Sequence, residues 1–244
     1  MKKVLFVILL IVCTISLTSC KKEKTIDYEQ IYRYNLFEIV ETLTEEEMMK
    51  QIEEADDAYY DATYININYK SYHVNFKQSC ELKIDNKKRE LYSYDVRESF
   101  GVDAKTIVDE TYTNNEFSYG KEKIDLREPT YSKYETRSFE QKAYRSLSPW
   151  MNKAWFINRE TDKLWSHYDY GKDVYGNTVI HMTLAPDKRY RYIPCMVIKD
   201  GKPIFFIHHD STSYTDIYFE ISYEKPKIEK PNWCDLAELK AIIK

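Results

Sequence analysis

The chain has 244 residues, with 40 Asp and Glu against 36 Lys and Arg, and a formal net charge of −4. Only 5 glycines leave no material for the Gly-rich phosphate loops of nucleotide enzymes, and the slightly acidic balance argues against a nucleic-acid partner. Charged residues at 31% and hydrophobic residues at 43% describe a folded body, neither disordered nor lipid-embedded over most of its length.

The first residues speak to compartment. Met1-Lys2-Lys3 is a basic start, and Val4 to Leu17 is an uncharged, largely apolar run of 14 residues. A membrane-spanning helix needs about 20 apolar residues, so a run of this length reads as a signal peptide. It ends in Leu17-Thr18-Ser19-Cys20, followed by polar Lys21-Lys22-Glu23-Lys24. That combination resembles the lipobox of bacterial lipoproteins. The resemblance implies cleavage before Cys20 and a diacylglyceryl group on its sulfur. Acyl chains, at about 0.8 kcal/mol per buried methylene, would then anchor the chain to a bacterial membrane, cell or outer, outside the cytoplasm. The expected organisation is a signal peptide over 1–19, the lipidated Cys20 with a tether over 20–26, and one domain over 27–244.

Cys80, Cys195 and Cys234 remain besides Cys13 in the leader. Their spacing matches no metal motif, and an oxidising compartment permits one bridge among the three.

The elements begin with helices. Asp27 and Gln30 form a capping pair before Ile31, Leu36, Phe37 and Val40, so a helix is expected over 28–42. Thr44 with Glu47 is a second capping box, and Glu45-Glu46-Glu47 suit the positive end of a helix dipole. Met48, Met49 and Ile52 carry that helix towards Asp57, after a turn near Leu43.

From Tyr64 the period becomes two. Ile65, Ile67 and Tyr69 share one face, and Val74, Phe76, Cys80, Leu82 and Ile84 share one parity. Asp85-Asn86-Lys87 turns the chain into a partner strand over 89–96. A second hairpin is expected over 106–119, about Thr113-Asn114-Asn115, then a short strand over 124–126. The stretch 129–158 breaks the rhythm, with a short helix expected over 138–147. Strands resume over 164–170 and 177–184. Asp200-Gly201, between apolar runs over 190–198 and 204–209, is the strongest hairpin signal. A last strand over 215–223 and a helix over 235–243 close the chain.

Tight turns demand antiparallel pairing, and an apolar sheet face needs a cover. The expected fold is therefore α+β: a curved antiparallel sheet, or half-barrel, with N-terminal helices over its concave face and a short C-terminal helix. The path resembles the lipoprotein-carrier (LolA-like) fold, which also covers the LppX/LprG-type lipid-binding lipoproteins. The local likeness lies in Val197-Ile198-Lys199-Asp200-Gly201-Lys202-Pro203 and in residues 215–231, with Ile228 and Pro231 as the exit from the last strand. It implies an apolar cavity between sheet and helices.

Chemistry is sparse. His208 and His209 are adjacent in a strand and point to opposite faces, so no metal site is expected from them. His167 and Asp169 share a strand face and could pair as base and orienting acid. Ser118-Tyr119-Gly120-Lys121, Tyr175-Gly176-Asn177 and Lys199-Asp200-Gly201 match the order of motifs in penicillin-recognising enzymes. There, however, the first motif opens a helix, whereas here it falls in a strand or turn. No catalytic residue and no cofactor is expected. The 23 tyrosines suit a pleated surface and could form a contact face, with Trp150, Trp155 and Trp165 around the irregular stretch.

The leading expectation is a non-enzymatic, lipid-anchored envelope protein that holds an acyl chain or similar apolar ligand. Its pocket would be lined by Val74, Phe76, Leu82, Ile180, Met182 and Phe206, with Trp150 and Trp155 at the mouth. The alternative is an envelope protein-interaction module with a solid core and a Tyr/Trp contact surface. A hydrolase with an unrecognised site is a third reading. Metabolic labelling with palmitate is expected to mark the product, and Cys20→Ser is expected to abolish the label and release the chain from membranes. An unlabelled product, with normal maturation of the Cys20→Ser form, would remove the anchor.

Overall fold

The computed structural model describes residues 26–33, 38–135, 167–183, 192–210 and 215–242. The chain divides into two units, Met1–Phe37 and Glu38–Lys244. The first contributes helix α1, Tyr28–Arg33, where the Asp27 carboxylate accepts the Gln30 N–H at 3.0 Å. The helix expected over 28–42 does not extend that far, because Ile39–Thr42 is strand β1 of the second unit. Ile39, Val40 and Thr42 are β-branched and favour pleated backbone, so a strand, not a helix, leads into the next element.

Helix α2, Glu45–Tyr60, starts as expected. Thr44 Oγ1 accepts the Glu47 N–H at 3.2 Å, and Glu47 Oε2 accepts the Thr44 N–H at 2.7 Å. Met48, Ile52, Ala55 and Tyr59 form its single buried stripe, each 1% exposed.

Eleven further strands follow: β2 (Tyr64–His73), β3 (Phe76–Asp85), β4 (Glu90–Ser99), β5 (Thr106–Thr113), β6 (Phe117–Ile124), β7 (Thr130–Glu135), β8 (His167–Asp173), β9 (Thr178–Thr183), β10 (Tyr192–Lys199), β11 (Lys202–Asp210) and β12 (Thr215–Ser222). With β1 they form one curved antiparallel sheet in the order β1-β8-β9-β10-β11-β12-β2-β3-β4-β5-β6-β7. Helix α3, Trp233–Ile242, ends the described chain. The α+β antiparallel class read from the sequence is the class observed.

Three local expectations need correction. Val74 belongs to the two-residue turn between β2 and β3, where His73 pairs with Phe76, so it is 66% exposed and lines no strand face. Residues 125–127 are a turn, with Asp125 at φ 50°, and not a strand. Thr130–Glu135, read as irregular, pairs antiparallel with β6. The Asp200-Gly201 hairpin is as expected, both residues lying in the left-handed region at φ 51° and 71°. The helix expected over 138–147 lies outside the described residues, as do Trp150, Trp155, Trp165 and Cys20.

Register assigns the described core side chains to a face. On the face that α2 covers, here the inner face, Ile65 stands opposite Ile84, and Ile84 opposite Leu91. Ile67 stands between Leu82 and Ile221, and Phe219, Phe206, Met196 and Ile180 follow across four strands. These residues and the α2 stripe form one core, none more than 8% exposed. At the sheet edge, Gly171 stands opposite Thr42, and a Cβ there would collide with the Glu41 carbonyl oxygen and Ile39 Cγ2. Only glycine lets β1 close on β8.

Ile52→Ala is expected to destabilise the protein by about 2–4 kcal/mol, through lost burial plus the cavity it leaves. Thr44→Ala, which removes one cap, is expected to cost only about 1 kcal/mol. Urea unfolding followed by circular dichroism measures both, and equal costs would contradict this core.

Candidate functional site

The outer face of β3 to β7 is covered by the end of the chain. Strand parity places Tyr112 (β5), Tyr119 and Phe117 (β6) and Tyr131 (β7) on this side. Cys234 and Ala237 of α3 pack against Tyr112 and Tyr119, all at most 4% exposed, with Phe117, Tyr131, Ile228 and Trp233 around them.

Polar bonds fix the packing. Trp233 Nε1 donates to Glu110 Oε2 at 2.9 Å, while Lys121 Nζ holds Glu110 Oε1 at 2.6 Å. The Tyr119 hydroxyl donates to Glu238 Oε1 at 2.7 Å, and the Tyr112 hydroxyl to Glu90 Oε1 at 3.1 Å. Lys230 Nζ bridges Asp235 at 3.1 Å and Glu238 at 3.3 Å, and stands 5.4 Å from the Tyr119 ring centre. Burial pushes both phenols up to about 12, and their carboxylate acceptors push in the same direction. The bond to Asp235 holds Lys230 above the ordinary lysine value.

Beside this clamp lies a groove of about 380 Å³. One wall is Lys83, Tyr92 and Glu110 on three successive strands, and the other is the extended segment Lys227 to Asn232. Lys83 pairs with Glu81 at 2.8 Å and lies 5.9 Å from the Tyr92 ring centre, and Lys227 pairs with Glu229 at 2.9 Å. The groove thus offers an aromatic platform set among paired charges, an arrangement suited to a polar chain and not to a hydrocarbon.

The residues expected to line an apolar pocket are distributed differently. Leu82, Ile180 and Phe206 do come together, but inside the core that α2 fills. Phe76 is half-buried at the start of β3, stacked 4.8 Å from His73. Val74 is the turn residue described above. Met182 lies on β9.

Other candidates are placed as follows. His167 and Asp169 lie on β8, and Asp169 stands opposite His181. Burial lowers the His181 pKa against the pull of Asp169. Ser118 and Lys121 are three apart on β6, hence on opposite faces, bonded to Thr113 and Glu110 respectively. Cys80, Cys195 and Cys234 are free thiols. Burial pushes Cys80 to about 12 and Cys234 to about 11, which keeps both protonated at neutral pH.

The sequence reading gave no role to Glu110, Tyr119, Lys230, Trp233 or Glu238. The available signal was the spacing of Trp233, Cys234 and Ala237, which puts an apolar stripe on one side of a helix.

Among solved structures, the chain is similar to the lipoprotein LppX of Mycobacterium tuberculosis, at 9% identity over 76% of this chain and 99% of that one, with a TM-score of 0.43. It is also similar to MucB in complex with MucA, at 8% identity over 75% and 59%, with a TM-score of 0.33. A third is a DUF1329 family protein of Desulfovibrio piger, at 11% identity over 79% and 97%, with a TM-score of 0.27. No family model and no curated protein matches the chain.

The clamp predicts loosening of α3 at both ends of the pH scale. The Tyr119 and Lys230 bonds hold Glu238 below its ordinary value. Their contribution is complete above the ordinary glutamate pKa of 4.5 and is lost as pH falls through the lowered one. Tyr112 and Tyr119 are raised from 10.0 to about 12, so the folded chain retains protons that the unfolded chain releases. Their contribution is complete below pH 10 and is lost as pH rises towards 12. Amide exchange over 233–242 is expected to quicken in both windows, and Tyr119→Phe is expected to weaken both effects.

Proposed function

We propose that this chain is a lipid-anchored, extracytoplasmic binding protein, and that it binds without catalysing a reaction. The leader with Cys20 supports the location. The protonated thiols, and the separation of Ser118 from Lys121 across the sheet, favour binding over nucleophilic chemistry.

For the ligand, one observation carries the reading. The space between α2 and the inner face is occupied by the protein's own side chains, Met48, Ile52, Tyr59, Leu82, Ile180 and Phe206, each at most 8% exposed. An open concavity among the described residues is the polar groove beside Tyr92. A solid core with a tyrosine-bearing contact surface fits a protein-interaction module whose partner presents a polar polypeptide segment. A second reading, an apolar ligand on the inner face, is favoured by the half-buried Tyr69, Tyr170 and Ile217 that border the core.

Native mass spectrometry of gently extracted protein separates the two. The docking reading predicts the polypeptide with its covalent acyl groups and no further lipid. A stoichiometric non-covalent lipid would overturn it in favour of the second. If docking holds, Tyr92→Ala combined with Lys227→Glu is expected to weaken partner crosslinking about tenfold or more, as loss of an aromatic anchor does.

A further inference from the structure

Strands β2 to β7 turn at two ends of the sheet, and the two sets of turns differ in chemistry. At one end lie Asn86-Lys87-Lys88-Arg89 between β3 and β4, and Asn114-Asn115-Glu116 between β5 and β6, all polar or charged. At the other end lie the β2–β3, β4–β5 and β6–β7 turns. These present Val74 at 66% exposure, Phe100 at 52%, Val102 at 104% and Leu126 at 99%. A single exposed apolar side chain is ordinary on any surface. Four on three successive hairpin tips, opposite a wholly polar end, form a patch that calls for a partner.

The three tips are joined into a row. The Phe100 N–H donates to the Asn75 carbonyl at 2.7 Å, tying the β4–β5 turn to the β2–β3 turn. The Asp125 N–H donates to the Thr106 carbonyl at 2.8 Å, and Asp125 Oδ1 accepts the Thr106 N–H at 2.7 Å, tying the β6–β7 turn to β5. Within the β4–β5 turn, Ser99 Oγ accepts the Lys105 N–H at 2.9 Å. The apolar groups therefore stand on a hydrogen-bonded base that keeps them outward.

The occupant follows from shape and charge. Exposure near 100% means that Val102 and Leu126 project from the surface. On the lipid-anchored reading a bilayer is the apolar medium nearest the body, and projecting side chains can enter it without a preformed pocket. Across the three turns Lys105 and Arg127 face Asp103, Asp125 and Glu128, so there is no excess of positive charge to seek an anionic partner. We propose that this rim dips into the interface of a phospholipid bilayer, driven by apolar burial and not by headgroup attraction. The proposal rests on the lipid-anchored reading. On that reading the rim sets which end of the sheet meets the bilayer.

The test uses residues 20–244 with Cys20→Ser, the expected mature chain without its apolar leader, mixed with phosphatidylcholine vesicles, so its outcome depends neither on acylation nor on the leader. Environment-sensitive dyes placed through Val102→Cys, Leu126→Cys or Asn115→Cys report depth. The expected result is enhancement at the first two, quenched by brominated lipid, with no change at the Asn115 position. Sedimentation with vesicles is expected to be insensitive to a tenfold rise in NaCl, and Val102→Asp with Leu126→Asp is expected to lower it about tenfold or more. Quenching only at the Asn115 position, loss of binding in salt, or equal sedimentation of parent and variant would overturn the proposal. So would a lipid-free dimer that the double variant abolishes, since that would make the rim a protein interface. Palmitate labelling of the native chain judges the anchor separately.

Discussion

The side-chain faces of the described strands depend on one backbone ladder through twelve strands, with register shifts only at Ile39/Glu41 and Val197/Ile198. The pleat alternates side chains with a period of two, so a slip of one residue would exchange the two faces of a strand. In β6 the consequence is easily seen. Ser118 and Gly120 take one side while Tyr119 and Lys121 take the other, where they meet Glu238 and Glu110. The same ladder aligns Ile65, Ile84 and Leu91 beneath the α2 stripe. Both helices are thus receivers of a pattern that the register establishes. Two large apolar faces, one on each side, make a slipped pairing expensive at both.

The hairpins were legible because their strands alternate and their turns contain the residues such turns require. Asp200-Gly201 is the clearest case, with both residues in the left-handed region. The capping box at Thr44 was legible because it is local. The errors share a cause in that local signals fitted two answers. Apolar residues at 31, 36, 37 and 40 satisfy helical spacing, yet Ile39–Thr42 gains more as an edge strand whose partner, β8, lies more than 120 residues away. The Val74 parity ran on through a two-residue turn, which preserves a period of two and so hides itself. Strand β7 has few β-branched residues and follows Pro129, and only its pairing with β6 identifies it.

The candidate site was less legible than the fold because it is assembled across distance. Glu110 meets Trp233 from 123 positions away, and Tyr119 meets Glu238 from 119. Nothing in either neighbourhood announces the other. Of the apolar residues chosen from parity, Leu82, Ile180 and Phe206 meet in one core, since parity reports which face is buried. It does not report whether a ligand or the protein's own helix does the burying. Here Met48, Ile52 and Tyr59 take that place, which moves attention from the inner face to the groove outside it.

The groove and the apolar rim lie towards opposite ends of the same strands, and this relates the two proposals physically. Lys83 stands two positions from the Asp85 end of β3, and Tyr92 two positions from the Glu90 start of β4, both beside the polar turn. The rim lies beyond Phe76 and Ser99, the other ends of those strands. Lys83 lies seven residue steps along β3 from Phe76, which at about 3.3 Å each is ~23 Å. A body seated on its rim would carry the groove clear of the headgroups, open to a partner approaching through water. Seated on Lys87, Lys88 and Arg89 instead, it would hold the groove against the membrane and turn Val102 and Leu126 into solvent. The first orientation buries the apolar side chains of the rim, and the second leaves them in water.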